Sequence, residues 1–223
     1  MEIRWFGQGA FLLRDNGSAV AIDPFGDLSA SIGSRVRFDY PPVEIDRADL
    51  LLVTHEHGDH NGVEQVGGEP QVIRSTAGRI ETPFGTVVAI ASEHDAAAGT
   101  ERGPNTIFVF PFGGFTIAHF GDFGQSALRP EQREAIGDID ILFLPVGGGP
   151  TVGGEPAAAL VRELAPRLVV PMHYRTDAIE FLDPPDEFLA ALPDWQVERS
   201  DSSELAVPAL DEPRILLLAA PSR

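Results

Sequence analysis

Residues 50–62 read LLLVTHEHGDHNG, in which an apolar run of four residues is followed, within residues 55–60, by three histidines and two carboxylates. A short apolar run of this kind, bounded by polar residues, is typical of a buried strand. Imidazoles and carboxylates at such density are the ligands that a divalent metal ion needs. The stretch therefore predicts a strand that carries a metal site at its carboxyl end.

The spacing of the ligands indicates how they divide. His55 and His57 lie two positions apart, so in an extended chain both side chains point to the same face and can share one ion. Gly58 can turn the chain and present Asp59 and His60 to a second position. Neutral imidazoles with a carboxylate suit Zn, Mn or Fe better than Ca or Mg. A polar loop with surface histidines is the alternative, and the density of ligands disfavours it.

This H-x-H-x-D-H pattern resembles that of the metallo-β-lactamase superfamily, which uses three further ligands downstream, each at the end of a strand. His94, Asp122 and His173 follow apolar, β-prone runs in the expected order. A lone histidine after a strand is more often structural than a ligand. The interpretation of these three residues as metal ligands therefore depends on the presence of the first motif.

The resemblance implies two divalent metal ions, Zn or Mn in the first place and Fe as a further option. The first ion would be bound by His55, His57 and His94, the second by Asp59, His60 and His173, and Asp122 would bridge the two. A hydroxide between two such ions is a nucleophile near neutral pH, so no serine or cysteine nucleophile is needed. The chain has no cysteine, which excludes thiolate ligands, thiol catalysis and disulfides.

Further segments resemble the UlaG-type group of the superfamily, which includes L-ascorbate-6-phosphate lactonase and metal-dependent hydrolases without an assigned substrate. The segments are residues 3–13, 21–24, 93–95, 99–110 and 117–122. The extra insertions of the lactonase are missing, so its phosphosugar substrate is not carried over. The match runs from Met1 to Arg175.

The hydrophobic pattern predicts mixed sheets covered by helices. Strands are expected at residues 2–6, 10–14, 18–23, 50–53, 71–74, 86–91, 106–110, 115–120, 140–144, 168–171 and 215–220, and helices at 61–66, 130–136 and 155–164. The resemblance implies an α/β (α+β) fold, a four-layer αββα sandwich of two mixed β-sheets flanked by helices. The chain holds no linker-like or low-complexity stretch, so we expect one domain over residues 1–223.

Charge and hydropathy restrict the partners. The chain has 34 acidic residues and 16 basic residues, all arginine, and its net charge is −18. A nuclease for long nucleic acids normally carries a basic track for phosphates, and no arginine cluster supplies one. No apolar run approaches the roughly 20 residues that span a membrane, and Met1 to Trp5 lack the basic residues and following apolar stretch typical of a signal peptide. We expect a cytoplasmic protein that acts on a small molecule, which can be anionic; a homo-oligomer is compatible with the sequence.

Four residues are candidates for catalysis. Asp59 or Asp122 would orient the nucleophile, and Tyr174 would donate a hydrogen bond to a developing oxyanion. His119 would serve as a proton donor or a substrate contact, or else as a structural histidine in its strand, which we favour slightly.

Other polar residues have two interpretations each. Asp23 would fix a ligating histidine or cap the following turn. Arg102 and Asn105 would bind a substrate anion or organise their loop. Glu56 would support the ligands or face solvent. The glycine-rich residues 145–154 lack the lysine of a phosphate-binding loop, so a flexible wall of the active site is preferred.

These observations predict a dinuclear metal hydrolase, in which a metal-bound hydroxide attacks a small phosphoester or a lactone. Two alternatives stay open at this point. One is an iron-dependent redox enzyme on the same ligands, and the other is a metal-binding protein without catalysis, since ligands alone do not reveal a substrate.

Overall fold

The computed structural model describes residues 1–28 and 37–222, and short apolar runs separated by turn residues give this part of the chain fourteen strands and three α-helices. The strands are β1 (Glu2–Gly7), β2 (Ala10–Asp15), β3 (Ser18–Ile22), β4 (Leu50–Val53), β5 (Gln71–Arg74), β6 (Gly78–Thr82), β7 (Gly85–Glu93), β8 (Pro104–Phe112), β9 (Phe115–His119), β10 (Ile141–Pro145), β11 (Leu168–Met172), β12 (Gln196–Arg199), β13 (Glu204–Ala206) and β14 (Arg214–Leu217). The helices are α1 (Pro130–Ile136), α2 (Gly154–Leu164) and α3 (Asp186–Ala190), and a 3-10 turn covers Val63–Gln65.

The strands form two sheets, and both are mixed. Within the described residues the first sheet has the order β13-β1-β2-β3-β4-β5; its pairs are antiparallel from β13 to β3 and parallel from β3 to β5. The tight hairpin between β2 and β3 turns at Asn16 and Gly17, which both have positive φ, as a two-residue turn between twisted strands requires.

The second sheet joins the carboxyl-terminal strands to the central hairpins. Its described strands have the order β12-β14-β11-β10-β9-β8-β7-β6, parallel from β12 to β9 and antiparallel from β9 to β6. Strands β9, β10 and β11 point the same way, so their carboxyl ends meet at one edge of the sheet. Side chains that follow β9 and β11 are therefore brought together.

The apolar run before the histidine motif is explained by burial on both faces of β4. Leu50 and Leu52 belong to the core between the two sheets. Leu51 and Val53 belong to the cluster on the outer face of the first sheet, where Tyr40 also packs. Because successive side chains point to opposite faces, a strand covered on both sides reads as a continuous apolar run.

The two mixed sheets with few helices confirm the predicted α/β fold class. The predicted strands are all present, although several bounds differ by one to three residues and the last strand ends at Leu217. The helix predicted for residues 61–66 is wrong in type, since only a 3-10 turn forms there. Strands β6, β12 and β13 and helix α3 were not predicted. One domain over residues 1–223 stays a prediction.

Among residues 1–28 and 37–222, no helix is long and apolar enough to cross a membrane.

Candidate metal centre

All seven predicted ligands come together at the carboxyl ends of strands from both sheets. The motif follows β4 of the first sheet, while His94, Asp122 and His173 follow β7, β9 and β11 of the second. The ligands form two groups, each with its donor atoms within 4.8 Å of one another. The first group is His55, His57 and His94, and the second group is Asp59, His60, Asp122 and His173.

In the first group the protein fixes which ring nitrogens face the centre. Nδ1 of His94 lies 3.0 Å from the carbonyl oxygen of Pro150, which can only accept, so Nδ1 carries the proton and Nε2 keeps its lone pair. Nδ1 of His55 lies 3.0 Å from the hydroxyl of Thr54. Nε2 of His55 faces Nδ1 of His57 at 3.1 Å. Ring nitrogens that converge in this way can bind a cation through their lone pairs.

Asp122 lies between the two groups. Its carboxylate is 3.0 Å from Nε2 of His94 and 3.9 Å from Nε2 of His55 in the first group. The same carboxylate is 3.2 Å from Nε2 of His60 and 3.3 Å from Nε2 of His173 in the second group. Asp122 therefore lies where a bridging ligand would have to lie, because its carboxylate contacts histidines of both groups.

The residues fit two divalent ions. Within the described chain, the facing atoms His60 Nε2 and Asp122 Oδ1 are buried and form no hydrogen bond, which is costly in the absence of a further binding partner. Two donors that each lie 2.0–2.1 Å from a tetrahedral zinc ion are about 3.3 Å apart. The observed separations of 3.0–3.9 Å match that value. The donors are nitrogen and oxygen, as Zn, Mn and Fe accept.

The electrostatics of the second group keep its carboxylate ionised. Burial alone would raise the pKa of Asp122, but the adjacent His173 and His60 hold that pKa well below its usual value. Burial would lower the pKa of His60, and the carboxylates of Asp122, Asp59 and Asp23 outweigh it and hold the pKa well above the ordinary value. The negative charge of the carboxylates around His60 therefore favours a cation at this position.

Asp23 holds the histidine motif in position. Its fully buried carboxylate accepts the backbone N–H and the hydroxyl of Thr54, both at 2.7 Å. It also accepts Nδ1–H of His60 at 2.9 Å, so Nε2 of that ring is directed to the centre. Of the two interpretations of Asp23, the geometry supports the orientation of a ligand. Thr54 was not predicted, although its place directly before the first ligand was a usable signal.

Asn105 fixes the chain at Asp122 instead of facing outward. Its buried carboxamide donates to the hydroxyl of Ser92 and to the carbonyl of Phe120, both at 2.8 Å, and accepts the backbone N–H of Asp122 at 3.1 Å. A side chain at Gly121 would collide with this carboxamide, and Gly121 has a φ of +54°. Asn105 therefore organises the end of β9.

We expect Asn105→Ala to lower the free energy of unfolding of the metal-free protein by about 2 kcal/mol, because two buried backbone groups lose their partners. Urea unfolding followed by circular dichroism measures this change. The same variant should bind metal more weakly, since Asp122 loses its support. Unchanged stability would show that water replaces the carboxamide.

The loop after His94 is organised by Asp95. The Asp95 carboxylate accepts the backbone N–H groups of Ala97, Gly99, Glu101 and Arg102 at 2.8–3.2 Å. The side chain of Arg102 is exposed. Its contact with a substrate anion stays a prediction.

Glu56 turns away from the ligands and connects the motif to β5. Its half-exposed carboxylate accepts Nε of Arg74 at 2.9 Å and the hydroxyl of Ser75 at 2.7 Å. The hydrogen bond from Arg74 is the main reason why the pKa of Glu56 falls to about 2. The ion pair of Glu56 and Arg74 stabilises the loop of the histidine motif on its solvent-exposed side.

The two remaining catalytic candidates lie in structural surroundings. His119 is fully buried, donates from Nε2 to the Gly9 carbonyl at 3.0 Å and accepts the Gly121 N–H at Nδ1. Burial lowers its pKa to about 4. Tyr174 is buried, its ring is 5.5 Å from that of Trp5, and burial raises its pKa well above the ordinary value. These contacts favour structural roles, and the catalytic roles stay predictions.

Residues 145–154 approach the site through their backbone. A Cβ atom at Gly147 would collide with the His173 carbonyl, so only glycine permits this approach. Gly148 and Gly149 both have positive φ, and Pro150 then places its carbonyl against His94. This arrangement supports the interpretation of the segment as a wall of the site.

Comparison with known proteins supports the interpretation of this cluster as a metal centre. The family model described as a beta-lactamase superfamily domain matches residues 2–173. A UPF0173 metal-dependent hydrolase of Thermococcus kodakarensis is 32% identical over 202 residues, which cover 79% of this chain and 85% of the relative. A UPF0173 metal-dependent hydrolase of Methylobacterium nodulans is 33% identical over 227 residues, covering 86% and 92% of the two chains.

A solved structure shows the same fold. A crystal structure from Thermotoga maritima, assigned to the metallo-β-lactamase superfamily as a Zn-dependent hydrolase, superposes with a TM-score of 0.76 at 28% sequence identity. The match covers 97% of each chain. The overall fold, with both sheets, therefore has a counterpart in an experimental structure.

Proposed function

The chain belongs to the β-lactamase superfamily, among the UPF0173 metal-dependent hydrolases, and on that premise we propose that it uses two metal ions to hydrolyse a small phosphoester or lactone. The observation that carries the proposal is the position of Asp122, whose carboxylate contacts histidines of both groups. A mononuclear site would not need a carboxylate shared in this way.

A pair of Zn or Mn ions, or of Fe ions, held by the seven ligands would supply a hydroxide nucleophile at neutral pH and positive charge for the transition state. The protein contributes the orientation. Asp23 and the Pro150 carbonyl fix the rings of His60 and His94, and Asp122 lies where it can orient the nucleophile.

The site opens to solvent on one side. His57 is exposed in the first group, and the side chain of Asp59 is 29% exposed in the second, whereas the other five ligands are buried. A substrate can therefore approach along the 57–59 turn, and Asp59, on that side of the site, would help to orient the nucleophile. Asp122 is the other carboxylate that would orient the nucleophile.

The substrate class rests on charge and on the family. A net charge of −18 disfavours long nucleic acids, while the metal ions would offset part of that charge at the site for a small anion. A cytoplasmic location, a homo-oligomeric state and membership of the UlaG-type group are further parts of the proposal.

The test is the metal content of protein purified without chelator, with turnover of bis(p-nitrophenyl) phosphate and of a simple lactone in the presence of Zn or Mn. We expect about two equivalents of metal per chain and loss of turnover in Asp59→Ala. Asp49→Ala is the matched control, because the two side chains are similarly exposed, at 29% and 23%, and Asp49 lies at the other end of β4. Stoichiometric iron without hydrolysis would contradict the proposal and favour the redox alternative.

A further inference from the structure

Gln8, in the turn between β1 and β2, has a buried carboxamide without a partner. The residue is fully buried, and neither Nε2 nor Oε1 has a hydrogen-bond partner within residues 1–28 and 37–222. A glutamine amide can donate two hydrogen bonds and accept two. Burial without any of them is unfavourable, and native proteins rarely tolerate it without a reason.

The backbone of Gln8 is fixed from two sides. Its carbonyl accepts Nε1–H of Trp5 at 2.9 Å, and its backbone also bonds the hydroxyl of Tyr40. Its φ is +48°, an unfavourable conformation for a residue with a side chain. The fold therefore holds an unpaired polar side chain in a strained position, where an apolar side chain would pack at lower cost.

The neighbouring glycine places this turn against the second group. A Cβ atom at Gly9 would lie 2.8 Å from Cε1 of His60 and 3.4 Å from Oδ2 of Asp23. Gln8 is thus one residue from direct contact with a ligand ring and with the carboxylate that orients it. Among the described residues, the buried side chains with an unpaired polar atom are those of three candidate ligands and of Gln8.

We propose that Gln8 is a substrate-positioning residue, whose carboxamide hydrogen-bonds an oxygen of the substrate at the second group. This inference rests on the proposed hydrolase function. Unpaired in the free enzyme, the amide can gain a partner on binding without first breaking a bond within the protein. A neutral amide also accepts a hydroxyl from the substrate, so a phosphoester or lactone with a hydroxyl near the reacting bond fits best.

The first test is stability without metal or substrate. In Gln8→Met the amide is replaced by an apolar side chain of similar size, so the melting temperature of the metal-free protein should rise by about 2 to 4 °C. The matched control is Gln132→Met. Gln132 is equally buried, but its amide bonds Ala91, Gln125 and Arg129, so the same substitution should lower the melting temperature. A fall for Gln8→Met would overturn the inference, because it would show that the amide is already paired.

The second test is binding by the metal-loaded protein. Gln8→Met should bind inorganic phosphate about 10- to 100-fold more weakly in calorimetry, and raise KM for bis(p-nitrophenyl) phosphate more than it changes kcat. Its metal content should equal that of the wild type, since Gln8 is not a ligand. Unchanged phosphate affinity and KM would overturn the inference. Absence of turnover in the wild type would instead contradict the proposed function. The stability comparison would still stand, because it uses protein without metal or substrate.

Discussion

Asp122→Asn is expected to leave at most one metal ion per chain and to lower turnover by at least about 10³-fold. Two dications about 4 Å apart repel each other strongly, and a carboxylate between them offsets that repulsion. Asparagine has nearly the same size but no charge, so the fold should persist while the pair of ions is lost. Metal content by mass spectrometry and turnover of bis(p-nitrophenyl) phosphate measure both effects.

The control for this prediction is Asp140→Asn. Asp140 lies at the opposite end of the same sheet, where it accepts the backbone N–H of Thr116 at 2.8 Å. That variant should keep both ions. If Asp122→Asn also keeps two ions, the carboxylate does not bridge the groups, although it touches histidines of both.

The clustering of the seven candidate ligands could be predicted from sequence because the segments that carry them follow apolar runs. A polar residue that comes directly after a buried strand lies at a sheet edge, and parallel strands such as β9 and β11 bring their carboxyl ends together. The order of His94, Asp122 and His173 along the chain then matched the family pattern. His55 and His57 belong to the same group, as predicted, although β4 ends at Val53 and the two residues lie in the loop that follows it.

The residues that support the ligands could not be predicted in the same way. Asp23 contacts Thr54 across 31 positions, and the Pro150 carbonyl contacts His94 across 56. Such contacts depend on how the two sheets pack, which no local pattern encodes. Both interpretations of Asn105 stayed open for the same reason. Its contact with the backbone N–H of Asp122 can be seen only once the position of Asp122 is known.

The missed strands have a different physical cause. Strands β6 and β13 lie at sheet edges and β12 at the other edge of the second sheet, so their side chains are largely exposed. Exposed edge strands need no apolar alternation, since one face or both contact water. The pattern that identified β4 is therefore absent from them, and pairing with a neighbour decides their conformation.

Asp23→Asn is expected to weaken binding of the ion at the second group by about 10- to 100-fold. The carboxylate accepts Nδ1–H of His60, but the amide of asparagine can present an NH₂ group there. His60 would then accept at Nδ1 and carry its proton on Nε2, the atom that faces Asp122. A protonated Nε2 cannot bind a metal ion. Titration of the metal-free variant with Zn, followed by calorimetry, separates the two binding steps.

Variants of Thr54 help to show whether Asp23 acts through the ring of His60 alone or through the whole histidine motif. Thr54→Val removes the hydroxyl beside Nδ1 of His55, so it should weaken the first group, whereas Thr54→Ser keeps the hydroxyl and should resemble the wild type. If Asp23→Asn weakens both binding steps equally, the carboxylate holds the entire loop through the Thr54 N–H. If it weakens neither, the orientation of His60 is set by its packing against Gly9 alone, and the role assigned to Asp23 is wrong.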